Sequence, residues 1–507
     1  MATKIFKSGN LIIINRGLIF DVINLPSFDY KFIGTTYVSF IDKFSNNPPI
    51  TDLIVNIQDE AGTPIGTTEQ DIIDYLATQT VSSVDINIGA SGLNLEATQL
   101  QVLQSVSVLD SLNFDAFARL RMSEPQTIFD SKQIADNQPL FFDDQQRSGS
   151  GTSSTYNTNQ SSTSLAVSNL TEGTRVRQTF RSFNYQPGKS FLWIRTAIIG
   201  TFGTGITKRL GYFQQNNGLF FHFNNGIASV GVRSFTSGVA VDTVVAQSSW
   251  NVDKLDGTGS SGITLDFTKI LIFFCDFEWV GVVRFGFFIG GVPIYCHKIN
   301  NSNINTVVYM STPNLPLRTE IINDGTGAAS SITDICSTVI VEGGRQQTGV
   351  QLSLNRDNNT LTTLNNLNIY PLIGIRLKST HLGAFINLVD TFLSCGSAAT
   401  YSWYLILSPT VVGAAPTWLN LTNSSVEYCY PTNATTLTGG TIVSTGIGTD
   451  TTQNQRGAKR GAISISDNEL LIGASIAGTP QELFFAVKRL TGTTERFYSC
   501  LTLNDTN

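Results

Sequence analysis

The chain has 507 residues, with 32 Lys and Arg against 38 Asp and Glu, a net charge of −6. That balance excludes a phosphate-backbone partner, because affinity for nucleic acid comes from clustered Lys and Arg; the length predicts about three domains, each with its own core. Charged residues are only 14%, while Phe alone numbers 32 and Gly 44. Such a composition excludes wholesale disorder and predicts an all-β assembly protein with a surface of Ser, Thr, Asn and Gln.

From the N-terminus, residues 1–93 hold short apolar clusters (LIIIN, YKFIGTTYVSFI, DLIVNI) between Asn, Pro and Gly, with one short helix expected at EQDIIDYLATQ. LIIIN reads as a strand and is too short for a secretion signal. Over residues 94–124 the period changes: Leu95, Val102, Val106 and Leu109 form a helical stripe interrupted by Gln99. The stripe suits either a helix packed on its own domain or a short stem pairing with other copies. The tract from Gln146 to Ser164 is almost wholly Ser, Thr, Gly, Asn and Gln, which predicts a long surface loop or flexible arm.

Strand signals are dense from Gly173 to about Gln347. RVRQTFRSFNY, FLWIRTAII, GLFFHFN, GIASVGVRSF, TKILIFFCDFEW and VRFGFFIGGVPIY are each bounded by Gly, Asn or Pro. Gly290-Gly291 is a two-residue hairpin signal, since both positions tolerate positive φ. The longest apolar run, ILIFFCDFEWVGVVRFGFFIGGVPIY, is broken by Asp276, Glu278 and Arg284. A bilayer span needs about 20 largely uncharged residues, so this run predicts core strands and no membrane partner. A central β-sandwich over 125–347 is expected, followed over 348–507 by a second one built from GIRLKS, AFINLVDTFLS, YSWYLILS, GAISISD and ELFFAVKRL.

Motifs that carry chemistry are sparse. The six cysteines (275, 296, 336, 395, 429, 500) include no C-x-x-C pair and read as buried thiols. His222, His297 and His381 form no H-x-x-x-H, so no metal site or cofactor is predicted. Asp256 to Gly262 spells G-x-G-x-x-G, but a β-run follows where a dinucleotide site needs a helix. Gly188-Lys189-Ser190 resembles the end of a phosphate loop whose first glycine is here Phe183. Among carboxylates, Asp143 and Asp144 lie beside the polar tract. Asp276 and Glu278, two apart on one strand, stand roughly 7 Å from each other on one face; a solvated face is the plain reading, a glycosidase pair or a calcium ligand the alternatives. Of the five tryptophans, most sit in apolar runs; Trp250 and Trp418 are the candidates for glycan stacking.

Three ordered blocks resemble a family. Phe114-Asp115-Ala116-Phe117-Ala118-Arg119-Leu120-Arg121-Met122-Ser123-Glu124-Pro125 with Thr127 to Lys132 is similar to the "DAFGRLRVSEP…FDSK" signature of virion structural proteins in tailed bacteriophages and some large DNA viruses. Trp250 to Gly259 with Asp276 to Phe287 is similar to that family's second block, and Met310 to Arg318 with Glu320-Ile321 to its third. Ala118 stands where the family usually has Gly, and Cys296-His297 where an aliphatic residue more often precedes His. The resemblance implies a head fibre, capsid-decorating or tail-associated protein of the virus particle, assembled in the host cytoplasm, that catalyses no reaction. Its partners would be copies of itself, trimer before dimer, together with the major capsid protein or other virion proteins, and a host surface glycan in the alternative reading. Residues 1–93 would anchor it, the central sandwich would be lectin-like (a jelly roll), and the C-terminal sandwich would face outward. Arg119 and Arg121, on alternate positions of an extended segment, would pair with carboxylates of a neighbouring subunit or with Asp115 and Asp130 of their own.

Overall fold

A computed structural model of the chain describes short strands within residues 4–66 and then residues 125–343, 349–357, 364–396, 399–450, 472–491 and 496–506. Two compact units emerge, Met1–Ser111 and Leu112–Asn507. In the first, β1 (Lys4–Ser8), β2 (Leu11–Asn15) and β3 (Phe20–Asn24) form one antiparallel sheet, and β4 (Tyr30–Lys31), β5 (Val38–Ile41), β6 (Ile54–Gln58) and β7 (Pro64–Gly66) another. LIIIN is β2. The two helices expected at residues 69–79 and 95–112, the arginines 119 and 121, and the GAISISD strand lie outside the described residues.

The central sandwich pairs two antiparallel sheets. The eight-stranded one runs, in space, β10 (Thr152–Asn157), β11 (Ser162–Val167), β22 (Ser330–Glu342), β13 (Phe191–Ile198), β18 (Leu271–Phe277), β19 (Val282–Ile289) and β20 (Val292–Asn300), with β8 (Pro125–Ser131) also on β22. The seven-stranded one runs β17 (Val241–Ala246), β16 (Ile227–Ser234), β15 (Gly218–Asn224), β14 (Ile206–Phe213), β21 (Leu317–Asn323), β12 (Gly173–Thr179) and β9 (Phe142–Gly149). The chain passes from one sheet to the other at β12, β13 and β14. The late strands β21 and β22 then insert between early ones, so the two sheets are complete only once residues 317–342 are in place.

Alternation sets the core. Phe191, Trp193 and Ala197 of β13, Leu219, Phe221 and Phe223 of β15, and Phe273, Cys275 and Phe277 of β18 occupy every second position or nearly so, and these inward residues of both sheets share one apolar cluster. Phe221 sits at its centre, with ring centroids 6.1 Å from Trp193, 5.0 Å from Phe273, 5.4 Å from Phe285 and 5.0 Å from Phe287. At one end the interior is polar. Arg195 donates to Asp334 (2.7 Å) and Thr319 (2.7 Å), and Arg177 Nε lies 3.5 Å from the same carboxylate. Lys208, also buried, donates to the carbonyls of Ile199 (2.5 Å), Thr201 (2.8 Å) and Ser331 (2.6 Å), which use all three ammonium protons.

The hairpin at Gly290-Gly291 forms with φ of 61° and 81°, joining Ile289 to Val292, as the primed turns require. The polar tract from Gln146 to Ser164 is a correction: it is the end of β9, all of β10 and the start of β11, not a loop or arm. Its hydroxyls find fixed partners, Ser154 on Asp144 and Thr163 on Gln133, and Leu165 and Val167 supply the buried face. Ladder pairing, β10 with β11 and β11 with β22, outweighs a turn-like composition.

In the C-terminal region, a three-stranded sheet of β23 (Val350–Arg356), β33 (Phe497–Asp505) and β25 (Ile386–Cys395) packs on a six-stranded one. The latter runs β28 (Leu419–Asn420), β29 (Val426–Cys429), β24 (Tyr370–Leu377), β32 (Leu483–Arg489), β26 (Ala399–Leu407) and β31 (Thr441–Asp450). A ribbon of β27 (Thr410–Gly413) and β30 (Thr435–Thr438) completes the region. The segment 472–481 meets the central sandwich, Ala474 N–H donating to the Phe180 carbonyl (2.9 Å) and Ile476 N–H to Asp143 (2.7 Å). The fold is all-β among the described residues, and no helix there is long and apolar enough to cross a membrane.

Candidate ligand-binding face

The residues singled out in the sequence are mostly framework. Asp276 is fully buried on the outward side of β18, not solvated. Ser190 donates to it (2.6 Å) and Arg284 closes an ion pair on its other oxygen. Glu278 lies past the end of β18 in the turn where Gly281 N–H returns to the Glu278 carbonyl (3.1 Å), so the two carboxylates do not share a strand face. Trp250 is 4% exposed and packs on Phe287, its indole N–H donating to the Val245 carbonyl (3.1 Å); burial leaves no ring face for a sugar. Trp418 is half-buried, with the Arg376 guanidinium 4.2 Å from its ring centroid and Phe484 at 5.9 Å. Arg376 is held there by Glu427 (2.7 Å) and Glu482 (3.1 Å), and a cation already covers the stacking surface.

The glycine-rich loop wraps a carboxylate of its own chain: Leu255 N–H (2.9 Å) and Ser261 N–H (2.7 Å) donate to buried Asp253. Asp144 pairs with Arg175. All six cysteines are free thiols, with Cys275, Cys296 and Cys429 buried and the other three half-buried. Among the described residues no group of three His, Cys, Asp or Glu is placed to hold a metal.

A denser cluster lies on the outward face of the seven-stranded sheet, at alternate positions of adjacent strands. Gln178 of β12 accepts from Arg318 of β21 (3.1 Å), and Arg318 donates to Glu320 (2.5 Å). Glu320 accepts from Arg209 of β14 (2.6 Å). Asp242 of β17 is gripped by both arms of Arg233 of β16 (2.6 and 2.8 Å) and lies 3.5 Å from Arg209. Beneath this ladder are two phenylalanines. Phe220 lies across Gly231, where an added Cβ would meet the ring at 2.6 Å, and the Phe213 side chain lies against Gly218. Arg209 and Arg233 stand 5.9 and 5.6 Å from the Phe220 centroid, Arg318 5.5 Å from that of Phe213. Three guanidiniums thus face two carboxylates.

His222 of β15 joins this cluster, and its Nδ1 has no hydrogen-bond partner. Burial, and then repulsion from Arg209, lower its pKa from 6.5 to about 4. Burial raises that of Glu320, but Arg318 and Arg209 outweigh it and hold the carboxyl at about 2. Both folded-state values lie below the unfolded ones, so at both sites the unfolded chain takes up its proton first and acidification destabilises the fold. Stability is expected to fall from pH 6.5 toward 4 through His222 and from 4.5 toward 2 through Glu320. Burial lowers the pKa of His297 as well, so it shares the upper window. Denaturant unfolding at stepped pH checks this: His222→Gln should flatten part of the upper window and leave the lower one, and an unchanged profile would refute the assignment. The signal missed in the sequence was the charge alternation in LRTE, with Arg318 and Glu320 two apart on one face.

The outward face of the eight-stranded sheet is the opposite in character. Leu192, Ile194, Ile272, Phe274, Phe288 and Ile340 share it. Phe274 lies over Gly286, 4.7 Å from Phe288 and 5.0 Å from Tyr295.

No known family profile matches the chain, and no curated protein matches it. Solved structures do. A protein of unknown function from Shewanella oneidensis MR-1 is 8% identical, covering 49% of this chain and 97% of its own, with a TM-score of 0.30. The CBM2 module of the evolved Dit of Lactobacillus casei BL23 phage J-1 is 7% identical over 44% of this chain and 99% of its own, with a TM-score of 0.29. A beta-1,3-glucanase from Mycobacterium marinum is 9% identical over 42% of this chain and 98% of its own, with a TM-score of 0.30.

Proposed function

We propose that the chain is a non-enzymatic structural protein of a virus particle, a head fibre or capsid-decorating protein that anchors to the shell and projects outward as a homo-oligomer. The observation that carries this reading is an apolar patch on the outward side of the eight-stranded sheet, over β13, β18, β19 and β22, backed on the inward side by the core. An antiparallel sheet with one face in water alternates apolar and polar residues, whereas a sheet apolar on both sides is normally covered on both. Here the outward side offers Leu192, Ile194, Ile272 and Phe288 around the closed Asp276–Arg284 pair, a surface suited to permanent contact.

The blocks that resemble virion proteins support the same reading, because they supply framework. Trp250 packs on Phe287, Trp279 donates to the Met310 carbonyl (3.2 Å), and Pro125–Ser131 is β8. The carboxylates Asp276, Glu320 and Asp242 are each held by guanidinium groups, which supports a role without catalysis.

Particles assembled with Ile194→Lys test the proposal. The variant chain should remain folded by circular dichroism yet be depleted from purified particles, and antibodies should label particles carrying the unsubstituted chain. Undiminished incorporation of the variant, or no labelling, would count against it. A second reading, a host-glycan-binding module, draws on the guanidinium ladder over Phe213 and Phe220. A glycan array should then show binding that Arg233→Gln abolishes, and an array without a binder removes this reading.

A further inference from the structure

Five strands end the two sheets of the central sandwich, and four of them carry features that discourage pairing; β8, paired only with β22, has Pro125, Asp130 and a register shift. β20 contains Pro293, Lys298 and an extra residue, Cys296, that shifts the register. β9 has a register shift at Arg147 and the charges of Asp143 and Asp144. β10 is Thr, Ser, Tyr and Asn. β17, Val-Asp-Thr-Val-Val-Ala, differs: it pairs with β16 without a bulge and has no proline. Its single charge, Asp242, is already held by Arg233. Val241 is 52% exposed and Val244 45%, with Val239 exposed just before them. A straight apolar edge is a template for another strand.

We propose that the occupant is β17 of a second copy, joined antiparallel about a twofold axis at Thr243, so that two seven-stranded sheets become one. The strand's one charge and its end select the register. Directly opposed residues of an antiparallel pair point to the same side, so Asp242, on the outward face, must meet an even-numbered residue. With the axis at Thr243, Asp242 faces Val244 and Val241 faces Val245. With the axis one residue earlier, two Asp242 carboxylates would oppose each other, which is unfavourable. With it one residue later, Val241 would stand opposite Gln247, the first residue of the 3-10 helix Gln247–Ser249, which cannot continue the ladder. The strand is therefore complementary to itself, and the twofold selects a dimer over a trimer.

This inference rests on the homo-oligomeric reading above, and one experiment separates the two. Full-length Thr243→Cys is oxidised mildly beside the unsubstituted chain, which controls for the natural thiols, and beside Val244→Cys; mass in solution is measured on the same samples. Opposed Cα atoms lie within disulfide reach, while positions two residues out of register lie beyond about 7 Å. Most of the Thr243→Cys protein should become a covalent dimer, with neither control doing so, and Thr243→Lys should weaken dimerisation at least tenfold. An oligomer in which Thr243→Cys does not crosslink overturns the edge pairing and leaves the assembly reading standing. A monomer overturns both.

Discussion

Asp334→Ala should lower the unfolding free energy by about 3–5 kcal/mol, the cost of removing one partner from a buried ion pair. Asp334 and Arg195 are fully buried and Arg177 nearly so, so truncation leaves two guanidiniums inside the sandwich with one fewer carboxylate. Arg195 would keep only Thr319 (2.7 Å), while Arg177 would still donate to the Asn137 carbonyl (2.5 Å). The effect belongs to the uncompensated charge rather than to the pair itself. Replacing both partners, as Arg195→Met with Asp334→Leu, removes one of the two stranded guanidiniums and should therefore cost less than Asp334→Ala alone, Arg177 keeping Asp144 at 3.8 Å. Chemical denaturation followed by circular dichroism decides the matter, and a loss below about 1 kcal/mol for the single variant would refute it.

Phe221→Ala is expected to cost about 3–5 kcal/mol, the range for a large aromatic deleted from a core that cannot collapse. Phe221 bridges the two sheets: it belongs to β15, and Trp193, Phe273, Phe285 and Phe287 come from β13, β18 and β19. Four rings anchored on three strands cannot all move into the void. The same denaturation measurement checks this, and Phe221→Leu, which keeps most of the volume, should recover part of the loss.

Local signals in the sequence located most of the strands. FLWIRTAII, GLFFHFN and LIFFCDF alternate or run apolar between breakers, and Gly290-Gly291 names its own turn. What stayed hidden depends on partners distant along the chain. The polar tract 146–164 reads as a loop because Ser and Thr favour turns; it is sheet because β10 pairs with β11 and β11 in turn is anchored on β22, more than 150 residues later. Asp276 reads as solvated because it alternates with apolar Cys275 and Phe277; what buries it is its cross-strand partner Arg284, eight residues on over the β18–β19 hairpin, and Ser190, 86 residues away. Trp250 and Trp418 illustrate the same limit: exposure of an aromatic ring is decided by what folds over it. The ladder of Arg318, Glu320, Arg209, Asp242 and Arg233 draws on four strands and could not be assembled from any one of them.

Under the proposed assembly role, contact through strand-built surfaces is permanent. Light scattering on the purified full-length protein across a concentration series tests it most directly. Permanent contact should give a stable multiple of 55.1 kDa that persists on dilution; a mass of one chain at every concentration overturns it.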